Sequence, residues 1–102
     1  MSSTGRTPLS EAEIKRALAD LPGWAGTGER LTKTFQFKSF RDAMALIVRL
    51  GFEAEQLDHH PELSNVYNKV SLALNTHDAG AKVTGMDVEL AKRIEKARAA
   101  LA

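Results

Sequence analysis

The sequence predicts one α+β domain, a four-stranded antiparallel sheet with three helices on one face, in the order α-β-β-α-β-β-α. Three observations lead to it. Three stretches place apolar residues at three- and four-residue steps. Each opens with a serine or threonine followed three positions later by an acidic residue: Ser10 and Glu13, Ser39 and Asp42, Thr84 and Asp87. The stretches between them alternate apolar and polar residues, the period of a half-buried strand. The connections are short, which favours antiparallel neighbours and gathers the helices on one side of the sheet. A chain of 102 residues suits one such core.

Residues 1–8, MSSTGRTP, are small and polar and are expected to form a disordered tail, leaving 9–102 as a single domain. Helix 1 follows the Ser10 box, with Ile14, Ala17, Leu18 and Leu21 as its apolar stripe, and stops at Pro22-Gly23. Trp24 opens a short strand among Gly23, Gly26 and Gly28. A turn near Gly28-Glu29 leads to a strand from Arg30 to Phe37, in which Leu31, Phe35 and Phe37 alternate with Thr32, Thr34 and Gln36. Lys33 interrupts the apolar side. Helix 2 carries Phe40, Ala43, Met44, Ile47, Leu50, Gly51, Ala54 and Leu57 on one stripe. Leu46, Val48 and Phe52 fall off it, so a second packing surface, a subunit interface, is expected there. Pro61 keeps His60 extended, so this helix ends near Asp58 or His59. Strands from Leu63 to Tyr67 and from Lys69 to Thr76 meet at a tight turn near Asn68. On the second of them Val70, Leu72, Leu74 and Thr76 share one face, and Ser71, Ala73, Asn75 and His77 the other. Helix 3 opens at the Thr84 and Asp87 pair. Its core stripe is Leu90, Ala91, Ile94, Ala97 and Leu101, and Lys92, Arg93, Lys96 and Arg98 form a solvated face.

Composition narrows the function by exclusion. The formal net charge is +1, so no strong field directs the chain to nucleic acid or to an anionic membrane. Cysteine is absent, which removes disulfides, thiolate metal sites and a Cys nucleophile. No apolar stretch is long enough to span a bilayer, and residues 1–8 lack the apolar run of a signal peptide. The cytoplasm is the default location.

What stands out is the placing of the three histidines. His59 and His60 are adjacent, between Asp58 and Pro61, and His77 ends the fourth strand. Imidazole exchanges protons near neutral pH, and the carbonyls ending helix 2, with Glu55 and Asp58 nearby, favour its charged form. Pairing of the last two strands brings His77 towards the other two. On spacing alone three readings stand: a polar surface pair, a zinc site, or a proton-transfer site. Adjacent histidines rarely face one ion, and no H-E-x-x-H spacing is present.

Taken in order, Glu55, His59-His60-Pro61, Tyr67, His77 and then Asp87 resemble the signature of the pterin-4a-carbinolamine dehydratase family, also known as the dimerization cofactor of a hepatocyte homeodomain factor. Leu21-Pro22-Gly23-Trp24, NVYNKV at 65–70 and NTHDAG at 75–80 are similar to that family as well. The resemblance covers nearly the whole chain from about Ser10. It implies the same α-β-β-α-β-β-α fold and the dehydration of 4a-hydroxytetrahydrobiopterin to quinonoid dihydropterin during tetrahydrobiopterin recycling. It implies no metal and no cofactor. His59, His60 and His77 become the catalytic trio around one small hollow, with the assignment of acid and base left open. Glu55 and Asp87 would hold the rings in their tautomers, Asp58 would support His59, and Trp24 and Pro61 would wall the pterin. The implied partners are the pterin substrate and further copies of the chain, as a homodimer through sheet edges or a homotetramer through helices. The alternative implied is a binding module that takes a helical protein partner on the helix 2 surface, as a coactivator or assembly factor.

Overall fold

The computed structural model describes residues 5–101. Along them run α1 (Glu11–Leu18), β1 (Ala25–Gly26), β2 (Leu31–Gln36), α2 (Phe40–Leu57), β3 (Glu62–Val66), β4 (Lys69–Leu74), a 3-10 turn (His77–Ala79) and α3 (Gly85–Ala100), which is the order expected. The strands form one sheet, β1-β2-β4-β3, and every neighbouring pair is antiparallel. On β4 the side chains of Val70, Leu72 and Leu74 are buried, and Thr76 continues their row beyond the strand. Phe35 lies opposite Val70 and Leu31 opposite Leu74, so β2 adds its apolar residues to the same face. The helices cover that face and complete the core with Ile14, Leu46, Leu50, Leu90 and Ile94. On the other face Thr34 and Ser71 meet across the strands, their hydroxyls 3.0 Å apart. Among the described residues no helix is long and apolar enough to cross a membrane.

Each helix starts at the residue its cap requires. Ser10 Oγ accepts from Glu13 N at 3.1 Å while Glu13 Oε1 accepts from Ser10 N at 2.8 Å. Ser39 Oγ accepts from Asp42 N at 3.2 Å. Thr84 and Asp87 form a second reciprocal box at α3. A side-chain cap contributes about 1 kcal/mol by pairing a helix N–H that would otherwise have no partner. The C-terminus of α2 is set by Asp58 in the left-handed region, φ 50° and ψ 46°, three residues before Pro61.

Two stripes differ from expectation. Leu46, placed off the helix 2 stripe as an interface residue, is fully buried. The buried row is Ala43, Leu46, Leu50 and Ala54, because α2 packs against α3 as well as the sheet, and Phe40 and Gly51 are turned outward. Val48 and Phe52 stay exposed, at 56% and 69%. Leu101 lies past the last residue of α3 and is exposed rather than in its core stripe. The interruption at Lys33 has a partner: its Nζ pairs with Glu95 Oε2 at 2.6 Å and sits 4.5 Å above the Phe35 ring.

Of the segment expected to be a tail, residues 1–4 lie outside the described residues. In residues 5–8, Pro8 forms an antiparallel bridge with Thr84, and next to it Leu9 N donates to Val83 O at 2.9 Å.

Candidate active site

The left-handed turn at Asp58 decides where His59 goes. A helix continued in the right-handed region would carry residue 59 onward along its own axis. At Asp58 the chain turns back instead, at a cost of about 1 kcal/mol for a residue with a Cβ. His59 N then donates to Ala54 O at 3.0 Å. The His59 ring is buried, 6% exposed, and its Nε2 lies 2.5 Å from Oδ1 of Asp87, which has no exposed surface.

Asp87 is the third residue of α3 and serves two purposes. Its Oδ2 accepts from Thr84 N at 2.8 Å, the capping contact, and from Thr76 Oγ1 at 2.9 Å. Thr76 and Thr84 are also buried, with their hydroxyls 2.6 Å apart. The proton directions follow from counting donors. The single hydroxyl proton of Thr76 goes to Asp87, so Thr84 donates to Thr76, and Thr84 Oγ1 accepts from Met86 N at 3.2 Å. An ionised carboxylate only accepts, so His59 donates from Nε2. The neutral ring is then left with Nδ1 as the atom that takes up a proton. Among the described residues no buried side-chain nitrogen or oxygen lacks a partner. An unpaired member of such a cluster would cost about 1–3 kcal/mol, so the set behaves as one unit.

His60 repeats the pairing at the surface. Its Nε2 lies 3.0 Å from Oε1 of Glu55, one turn back on α2, and both side chains are largely exposed, at 59% and 80%. His77 is exposed at the start of the 3-10 turn, directly after Thr76, so the chain itself brings it to the edge of the buried cluster. Pro61 is half-buried beside His60, and the Asp58 carbonyl accepts from Arg6 Nη2 at 3.1 Å.

Trp24 is not gathered with them. Its indole N–H donates to Glu95 Oε2 at 2.7 Å, and its ring meets Phe35 edge-on with centroids 6.4 Å apart, the contacts of a core residue. Tyr67 is exposed at φ 51° in the turn between β3 and β4. Among the described residues, five surface hollows of about 330 to 730 Å³ are lined by other residues, and none of the five by a histidine. The hollow expected between three rings is not one of them.

Two contributors escaped the sequence reading. Thr76 passed as one more residue on the buried row of β4, and Thr84 only as a helix cap. The available signal was a threonine on an otherwise aliphatic row, for a buried hydroxyl needs a partner.

Residues 7–97 match the family model described as pterin 4 alpha carbinolamine dehydratase. A relative from Opitutus terrae that carries the family's name is 56% identical over 90 residues, covering 88% of this chain and 93% of that protein. Another, from Thermosynechococcus vestitus, is 49% identical over 86 residues, covering 84% of this chain and 90% of that one. The crystal structure of a protein from Brucella melitensis, described as a transcriptional coactivator/pterin dehydratase, superposes with a TM-score of 0.85 at 36% identity. It covers 90% of this chain and 99% of the other. A pterin dehydratase-like protein described as a RuBisCO assembly factor in the alpha-carboxysome shares the fold, with a TM-score of 0.60 at 21% identity over 74% of this chain and 86% of that one.

Proposed function

Because the chain belongs to the pterin 4 alpha carbinolamine dehydratase family, we propose that it removes water from a 4a-hydroxytetrahydropterin to give the quinonoid dihydropterin. The reaction breaks the C4a–O bond and forms a double bond between C4a and N5. The departing oxygen takes up a proton to leave as water, and N5 gives one up. One general acid and one general base therefore suffice, and no electrons change hands.

The observation that carries this reading is the buried His59–Asp87 pair, with its carboxylate fully hydrogen-bonded. Asp87 commits Nε2, so His59 exchanges protons at Nδ1, and the nearby carboxylate stabilises the imidazolium formed on the way. His60 is the second exchanging ring. Its bond to Glu55 is exposed, so the ring keeps the freedom to follow the substrate as it turns over. His77 positions the pterin or the leaving hydroxyl, and Pro61 offers a flat apolar edge. The role fits the recycling of reduced pterins in the cytoplasm.

The test is stopped-flow dehydration of synthetic 4a-hydroxytetrahydropterin. His59→Ala and His60→Ala are each expected to lower turnover by about a hundredfold, the usual contribution of a positioned acid or base. Wild-type turnover in both variants would reject the assignment.

A second reading, a binding module, has one observation in its favour. Val48 and Phe52 lie one turn apart on α2 and are exposed, an apolar pair suited to another helix from a second copy or a protein partner. The coactivator description of the Brucella melitensis protein agrees with such a surface. Phe52→Glu is expected to lower the mass measured by light scattering while dehydration persists, and an unchanged mass counts against this surface as an interface between copies.

A further inference from the structure

Two consecutive residues of the N-terminal segment hold the residues immediately preceding the two partners of the buried pair. Gly5 O accepts from Met86 N at 3.2 Å, and Met86 precedes Asp87. Arg6 Nη2 donates to Asp58 O at 3.1 Å, and Asp58 precedes His59. The segment is anchored just beyond, by the bridge between Pro8 and Thr84 and by the bond from Leu9 N to Val83 O. It thus runs antiparallel along residues 83–86 and sends Arg6 across to the end of α2.

The consequence lies in the peptide unit joining Asp58 to His59. A peptide unit is planar, so a hydrogen bond at each end fixes its orientation. Its N–H end is held by Ala54 O at 3.0 Å, and its C=O end by the Arg6 guanidinium. That unit follows the left-handed Asp58, the conformation that the chain leaves most readily if unsupported. Rotating it would swing the His59 Cα and draw Nε2 away from Asp87.

We propose that Arg6 is a positioning residue for the histidine site. It clamps the peptide unit between Asp58 and His59 and thereby keeps the His59 ring bonded to Asp87 through Nε2. The inference rests on the reading of His59 as a proton-transfer group. Arg6 stands just before residues 7–97, the stretch that matches the family, so the clamp reaches the site from outside that stretch. The guanidinium is suited to the task because it is always charged and offers several donors on a long arm.

The experiment compares Arg6→Ala and Arg6→Lys in the full chain, by NMR of the His59 ring nitrogens and by stopped-flow dehydration. In Arg6→Ala the His59 ring signals are expected to shift towards a mixture of tautomers. kcat falls about fivefold, the scale of one ordinary intramolecular hydrogen bond, with KM changed by less than about twofold. Arg6→Lys restores most of both. Unmoved ring signals in Arg6→Ala overturn the clamp, whatever the rate does. So does equal loss in the alanine and lysine variants. A wild-type protein that fails to dehydrate the pterin overturns the reaction instead, while the ring signals still decide the clamp.

Discussion

Two helices of this protein begin with the same four-residue device and put it to different uses. At α1 the box of Ser10 and Glu13 is exposed, and its bonds are local. At α3 the box of Thr84 and Asp87 is buried, and Asp87 also takes His59 and Thr76. Water serves the spare lone pairs of Glu13. At Asp87 water is excluded, so each spare lone pair calls for a protein donor. The same motif is therefore a cap where solvent reaches it and the anchor of an imidazole where solvent does not. The histidines repeat the lesson: His59 and His60 each have a carboxylate, and depth separates them, the first pair being buried and the second exposed.

The sharpest way to break this contrast is to remove each carboxylate in turn. Asp87→Ala leaves three donors, from His59, Thr84 and Thr76, facing no acceptor in the core. A buried donor left without an acceptor costs about 1–3 kcal/mol, and three are left at once, so a large drop in urea-unfolding free energy is expected. Glu13→Ala leaves its donor open to water, and its loss should be a small fraction of that. Equal losses in the two variants would mean that burial is not what distinguishes the boxes.

A finer cut tests the hydroxyl chain. Thr76→Val keeps the shape and removes one donor to Asp87 together with the acceptor for Thr84. The expected loss is about 1–3 kcal/mol in the same urea measurement, and Thr76→Ser should recover most of it. A valine variant as stable as the wild type would show that the two threonines do not form the chain of bonds described above.

What was legible beforehand follows the range of the interactions. Caps and strand alternation act over two to four residues, so the order of elements and all three helix starts could be read directly. The rotation of α2 could not. Phe40 opens its apolar stripe but is exposed, and Leu46 is buried because α2 must also face α3. The pairing of Thr76 with Thr84 depends on the path of the loop between them, through a 3-10 turn, a left-handed Gly80 and the bridge between Thr76 and Lys82. Trp24 and its hydrogen-bond partner Glu95 are 71 residues apart, and no local pattern joins a lone tryptophan to a glutamate on another element. Arg6 read as part of a polar tail because its contact, with the Asp58 carbonyl, exists only once the chain has folded.

The smallest expected effect concerns the exposed box, where acid can separate the two uses of the motif. Glu13 is held below its ordinary value of 4.5, first because Ser10 N donates to its carboxylate and then because of the Ser10 hydroxyl; partial desolvation opposes this, and Arg16 adds a minor lowering. A carboxylate whose folded pKa is depressed contributes stability above its unfolded pKa, and that contribution is lost as pH falls through the folded value. The start of α1 should therefore loosen only on acidification past 4.5, with the rest of the fold intact. The Ser10 amide proton is the reporter, since it bonds Glu13 directly at 2.8 Å. Its NMR shift is expected to titrate with a midpoint below 4.5 and to lose that titration in Glu13→Gln. A midpoint at or above that value would show that the box is not formed in solution, and the contrast with α3 would then lose its exposed member.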